Sequence, residues 1–254
     1  MELHEWEEHF DALLDNEVDN YLSENEDDLF IETPMKSKEQ QKIQTKDEIM
    51  KTFRLEEAGD LIEQALCVIR DLLPQHITKE EWEKVYEEFM NCDEALVKHF
   101  EAVENEAIDK DEFTPIHEMC GISNDTLMHC YRLGQAIYND KEYADARAIF
   151  SYLVTVAAYV PEFWISAGMC CYQMEEYQQA IDSYKLAQSL FPDEVALYIH
   201  CANNFIANGD LTNAKIELDE VKKIFIKDPS SQEQWNKTYE FLVSRAEKDR
   251  EGAE

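Results

Sequence analysis

The segment EYADA at 142–146 returns as EYQQA at 176–180. Each opens on Glu-Tyr and closes on an alanine after two variable residues. Ala146 and Ala180 stand 34 residues apart, and Ala214, in DLTNA, stands 34 further on. Taking Leu127, Pro161 and Val195 as first positions gives three units of 34 residues. Position eight then holds Gly134, Gly168 and Ala202, and position twenty holds the three alanines. Position seventeen holds Tyr143, Tyr177 and Leu211, and position twenty-four holds Phe150, Tyr184 and Leu218.

This spacing is the tetratricopeptide (TPR) pattern. Each unit is read as two antiparallel helices. Small residues lie where the helices approach closely, and large ones fill the gap to the neighbour. One unit cannot bury its own apolar face, so units stack. Asn208-Gly209-Asp210 supports the frame of the third unit, which departs from the pattern at Ala202 and Leu218. Pro229 and the polar residues after it start a final helix. Trp235, Tyr239, Leu242 and Ala246 share one face of it, as a terminal capping helix requires.

Composition agrees with an all-α chain. Only 6 Gly and 6 Pro occur in 254 residues, and no alternating β-branched stretch suggests a strand. Working outward from the repeat, helical spacing of apolar residues runs from Ile49 through Leu61, Leu66 and Ile69 to Leu73, with Pro74 at its end. Thr78 and Glu81 suggest a capping box. A second long helix then presents Trp82, Val85, Phe89, Leu96, Phe100 and Val103. Three segments follow: an acidic tail and linker at 1–46, a helical hairpin at 47–110, and the repeat domain with its cap at 111–250. The first 35 residues carry 13 acidic residues and no Lys or Arg. They read as a solvated tail or a short amphipathic helix built on Leu3, Trp6, Phe10, Leu13 and Leu14.

The net charge is -33, from 56 acidic and 23 basic residues. Such a surface repels a phosphate backbone and an anionic membrane, so neither nucleic acid nor a bilayer is expected as a partner. The seven cysteines form no CxxC pair and read as reduced thiols of a cytoplasmic protein. The N-terminus lacks a secretory pattern, and no apolar run is long enough to span a membrane. His117, Cys120, His129 and Cys130 contain metal-ligand residue types, but their spacing matches no paired zinc motif. No catalytic pair or phosphate-cradling loop is found, the acidic residues read as solvated faces, and neither an enzyme nor a cofactor is expected.

In TPR arrays the first helix of each unit lines the concave surface through positions two, five, nine and twelve. The candidate floor is therefore Met128, Tyr131, Gln135 and Tyr138, then Glu162, Ile165, Met169 and Tyr172, then Ala196, Ile199, Asn203 and Ile206. The peptide-groove residues singled out are these without Glu162 and Ala196. This floor is aromatic and aliphatic with a few amides. Only Arg132, Asn203 and His200 offer themselves as a carboxylate clamp, so an extended apolar peptide is the expected ligand.

The run GISNDTLMHCYRLGQAIYNDKEYADARAIFSYL at 121–153 narrows the reading. It resembles the class II chaperones of bacterial type III secretion, which hold hydrophobic translocator proteins before export. Ile122, Ser123, Leu127, Tyr131, Leu133, Gly134, Tyr138, Tyr143 and Ala146 match the family's pattern, and Phe163, Gly168, Cys170, Tyr177, Ala180 and Tyr184 continue it. The resemblance covers roughly 115–228. It implies a bacterial cytoplasmic chaperone that binds an apolar segment of a translocator or effector in its groove. It also implies self-association through the helices before the repeats. The other reading is a TPR adaptor that serves another complex.

Overall fold

The computed structural model describes residues 37–38, 41–42, 55–104 and 114–251. The expected amphipathic tail and the start of the first long helix lie outside them. Among the described residues there are helices and turns and no strand. By its internal contacts the chain divides into two units, 1–60 and 61–254, and the helical array belongs to the second.

Before the repeat come α1 (Leu55–Leu72), α2 (Lys79–Met90), α3 (Cys92–Glu104) and the short α4 (Ile116–Met119). Pro74 does not stop α1 abruptly: a 3-10 turn, Leu73–Gln75, carries the chain past it. The Thr78–Glu81 capping box is formed at the head of α2. The single long helix expected after Thr78 is instead two. Asn91 leaves helical geometry, its N–H closes α2 on the Glu87 and Phe89 carbonyls, and its own carbonyl starts α3 by accepting from Ala95. Asp93 and Glu94 favour a new N-terminus there, where negative charge meets the positive end of the helix dipole. Pro115 is the N-cap of α4.

The three units follow as α5 (Asn124–Asn139) with α6 (Tyr143–Val156), α7 (Pro161–Gln173) with α8 (Tyr177–Leu190), and α9 (Val195–Ala207) with α10 (Leu211–Lys227). The second helix of every unit begins at position seventeen. The turn between helices is the same in all three. Lys141, Glu175 and Gly209, each 34 residues apart, hold φ of 69°, 63° and 79°. The next N–H then reaches back across the turn: Glu142 to Ile137, Glu176 to Cys171 and Asp210 to Phe205. This is the Schellman closure, which satisfies carbonyls that the helix end leaves open. Only the third unit uses glycine for the left-handed residue.

Two cores result. The first joins Ala65, Ile69, Leu73 and Val85 of the leading helices to Leu127, Leu133, Ile149 and Leu153 of the first unit. The second joins Tyr184, Leu197, Ala202, Leu218 and Phe225 to α11 (Pro229–Glu251). Trp235, Tyr239, Leu242 and Ala246 all pack against it, as a cap should.

Within a unit, position eight faces position twenty-four. A Cβ at Gly134 would stand 2.8 Å from the Phe150 ring, and one at Gly168 would stand 2.3 Å from Cζ of Tyr184. The third unit has Ala202 with Leu218, both buried. The smaller partner leaves room for the methyl group. Gly168→Ala is therefore expected to cost about 1–3 kcal/mol through forced movement of the ring. Adding Tyr184→Leu should recover part of that loss. Urea denaturation of the single and double variants measures the coupling, and strictly additive losses would reject it.

Candidate functional site

The first helices of the units, α5, α7 and α9, carry the candidate groove. Met128 is 44% exposed, and Gln135 is exposed one side-chain row along. Tyr131 is half-buried between Phe150 and Phe163, with ring centroids 5.7 and 5.3 Å away. Its hydroxyl lies 3.4 Å from the Ser166 Oγ, which donates to it. Tyr138 packs edge-on against Tyr143 at 5.2 Å, and Tyr172 stands against Tyr177 at 5.6 Å. The two pairs are the same contact one repeat apart, between positions twelve and seventeen. Burial pushes the Tyr138 hydroxyl up from its ordinary value, while a hydrogen bond with Gln173 opposes that shift. Ile165 and Met169 are half-buried on α7.

The third unit behaves differently. Ile199 and Ile206 are only 2% and 4% exposed, so they offer no surface to a ligand. The capping helix α11 packs on α9 as well as α10, and Ile199 and Ile206 belong to the core it closes. His200 on α9 is stacked on Tyr184 and meets Trp235 of α11 edge-on at 6.4 Å. The Asn203 amide oxygen accepts from Arg245 of α11 at 3.0 Å. Two expected groove residues are thus core, and a third is engaged by the cap. Accessible surface on the candidate face is concentrated on units one and two.

Several structural residues were not legible as such. Glu88 of α2 and Glu217 of α10 depart from the reading of the acidic residues as solvated. One Glu88 oxygen accepts from the Ser123 N–H at 3.0 Å, the Ser123 hydroxyl at 3.1 Å and the Thr126 hydroxyl at 2.6 Å. It closes the N-terminus of α5 and binds the leading helices to the first unit. Glu217 is buried and holds Lys185 and, at 2.8 Å, the Gln188 amide. Arg147 joins Glu176 in the same way between units one and two. No local pattern separates these carboxylates from the surrounding exposed ones.

His117 is buried with both ring nitrogens engaged. Its Nδ1 lies 2.8 Å from the Ile122 carbonyl, which can only accept, and its Nε2 lies 2.7 Å from the Tyr159 hydroxyl. It is a packing residue at the head of α5. Among the described residues no group of three or more His, Cys, Asp or Glu is arranged to hold a metal. No helix among them is long and apolar enough to cross a membrane.

No family model matches the chain. Its sequence is similar to the Low calcium response locus protein H of Yersinia pseudotuberculosis. They are 29% identical over 112 residues, covering 44% of this chain and 67% of that protein. The Yersinia pestis protein of the same name is 31% identical over 94 residues, covering 37% of this chain and 56% of the relative. Among solved structures, the Yersinia enterocolitica type III secretion translocator chaperone SycD is 26% identical. It covers 52% of this chain and 99% of its own length, with a TM-score of 0.49. The likeness to Low calcium response locus protein H bears out the resemblance drawn from the sequence.

Glu88 and His200 each make a contribution to stability that substitution can measure. Glu88→Ala leaves the Ser123 and Thr126 donors unsatisfied and should cost about 2 kcal/mol in chemical denaturation. Glu88→Gln, which keeps an acceptor oxygen, should cost less; an equal loss from both would refute the capping role. Burial of His200 lowers its folded value to about 4. Because the unfolded ring titrates near 6.5, the unfolded chain takes up the proton first as pH falls. The contribution of His200 is complete above about pH 6.5 and declines toward about pH 4, by roughly 1–3 kcal/mol. His200→Phe should flatten the dependence of the urea midpoint over that interval, and an unchanged slope would exclude His200 as its source.

Proposed function

We propose that this protein is a type III secretion chaperone that holds an extended apolar segment of a translocator or effector against α5 and α7. The observation that carries the reading is the run of accessible apolar and amide side chains on these helices: Met128, Tyr131, Gln135, Tyr138, Ile165, Met169 and Tyr172. The likeness to Low calcium response locus protein H supports it. In this reading the protein works in the bacterial cytoplasm by binding and not by catalysis. The repeat array holds the cargo, and the leading helices packed on its first unit support it. Asn203 serves only at the margin, because the cap engages it.

A cargo side chain seated here gains affinity mainly by burying apolar surface, worth about 1.5–3 kcal/mol for each large anchor. Tyr131 also supports the core, so its removal confounds binding with folding. Met128→Glu and Met169→Glu are cleaner probes. Each should weaken binding of peptides spanning the source bacterium's hydrophobic translocators by about tenfold or more, with helicity unchanged. Full affinity in both variants would reject the groove.

A specific observation favours a second surface. Tyr86, Met90 and Val97 are exposed on α2 and α3, and Tyr86 is backed by Trp82 at 5.9 Å. We read this stripe as the self-association face, or as the docking face if the protein is instead an adaptor. Sedimentation of the Met90→Glu variant against the unchanged protein separates the two. Loss of a dimer supports self-association, and a monomer in both supports the adaptor.

A further inference from the structure

Most of the seven cysteines lie buried in the repeats and their approach, but Cys92 is only half-buried and opens α3. Cys120 is buried at the C-cap of α4. The two thiols are in hydrogen-bonding contact. Cys92 packs against the core cluster that holds Cys120, and the segments that carry them approach closely. Gly121, next to Cys120, turns with φ of 69°, and a Cβ placed on it would stand 3.2 Å from the Ala95 Cβ in the first turn of α3. The start of α3 and the end of α4 are therefore held together without a covalent tie. A disulfide forms only between segments that approach one another closely.

The two sulfurs differ in chemistry. The hydrogen bond from Cys120 holds the Cys92 thiol below its ordinary range, against the opposing effect of partial burial. The same bond, with burial, holds Cys120 above it. Asp93, beside Cys92 in the first turn of α3, also opposes the lowering there. Cys130, in the same core, is pushed up to about 12 by burial and stays a thiol. The buried Tyr152 hydroxyl, which has no hydrogen-bond partner, lies close enough to feel all three sulfurs. Cys92 is thus the accessible, more acidic partner and Cys120 the shielded one.

We propose that Cys92 and Cys120 form a reversible disulfide, with Cys92 the site of attack by a hydroperoxide and Cys120 the resolving thiol. The Cys92 thiolate takes the distal oxygen of the peroxide. An S–O bond forms, the O–O bond breaks, and hydroxide or alkoxide leaves. The Cys120 sulfur then attacks the sulfenic sulfur, an S–S bond forms, and water departs with the Cys120 proton. A dithiol reductant returns the pair by exchange. The bond ties α3 to α4, and so fixes the leading helices to the head of the first unit. This inference does not depend on the cargo.

The test uses the full chain. It is treated with hydrogen peroxide, quenched, unfolded, alkylated, digested and weighed. The expected product is a cross-linked peptide pair holding Cys92 and Cys120, lighter by two hydrogen atoms and restored by dithiothreitol. In Cys120→Ser the reaction should stop at a dimedone-trappable sulfenic acid on Cys92. If that variant does not fold, Cys120→Ala serves, and the unchanged chain alone remains decisive. Alkylation of both thiols after treatment that fully oxidises free glutathione would overturn the proposal. Pairing of Cys92 with another cysteine, or its overoxidation beside a reduced Cys120, would overturn it equally.

Discussion

The fold depends on how close the two helices of a unit can come. In units one and two, an aromatic ring at position twenty-four lies where a Cβ at position eight would be. Gly134 and Gly168 yield that space to Phe150 and Tyr184. Tyr184 is fully buried, and its hydroxyl still finds the Ile165 carbonyl at 3.2 Å, so its polar atom costs little. Unit three reaches the same end with different residues, Ala202 and Leu218. Its departure from the repeat is thus a paired exchange of volume, not a loss of the pattern. Packing interiors at crystal-like density permits such swaps when the total is conserved.

Most of the array was legible because a period of 34 residues constrains many positions at once. The three alanines, the two glycines and the capping face of α11 all fell where that period places them. What stayed hidden depends on context that no local spelling records. Lys141 and Glu175 adopt the left-handed turn that Gly209 advertises, and nothing in their identity says so. The repeat alone, read through Gly209, could have predicted them. The helix break at Asn91 stayed hidden, because one residue leaving helical geometry does not disturb the apolar spacing on either side. Glu88 and Glu217 look like any other carboxylate of an acidic chain. Their burial follows from partners 29–38 residues away.

The candidate groove illustrates the same limit. Applying one rule to three units gave equal weight to Ile165 and Ile199. The rule assumes that every unit has a neighbour of the same kind. Unit three has α11 instead, whose Trp235 and Arg245 reach back onto α9. An end unit must bury what an inner unit can expose, since nothing else completes its core. The capping helix was itself legible, and the burial it imposes on α9 was its physical consequence.

Charge adds a second layer to this asymmetry. The chain carries a large negative excess, yet the face of α5 and α7 is built mainly from apolar and amide side chains, with Glu162 the acidic residue among its positions. The long-range field falls off within about a Debye length at physiological salt. It therefore governs which partners approach and keeps copies of the chain apart, and contributes little to a peptide already seated on apolar surface. Self-association through α2 and α3 must in turn overcome repulsion between two such chains. Salt thus acts differently on the two surfaces: screening strengthens contact between copies and leaves an uncharged ligand's affinity nearly unchanged.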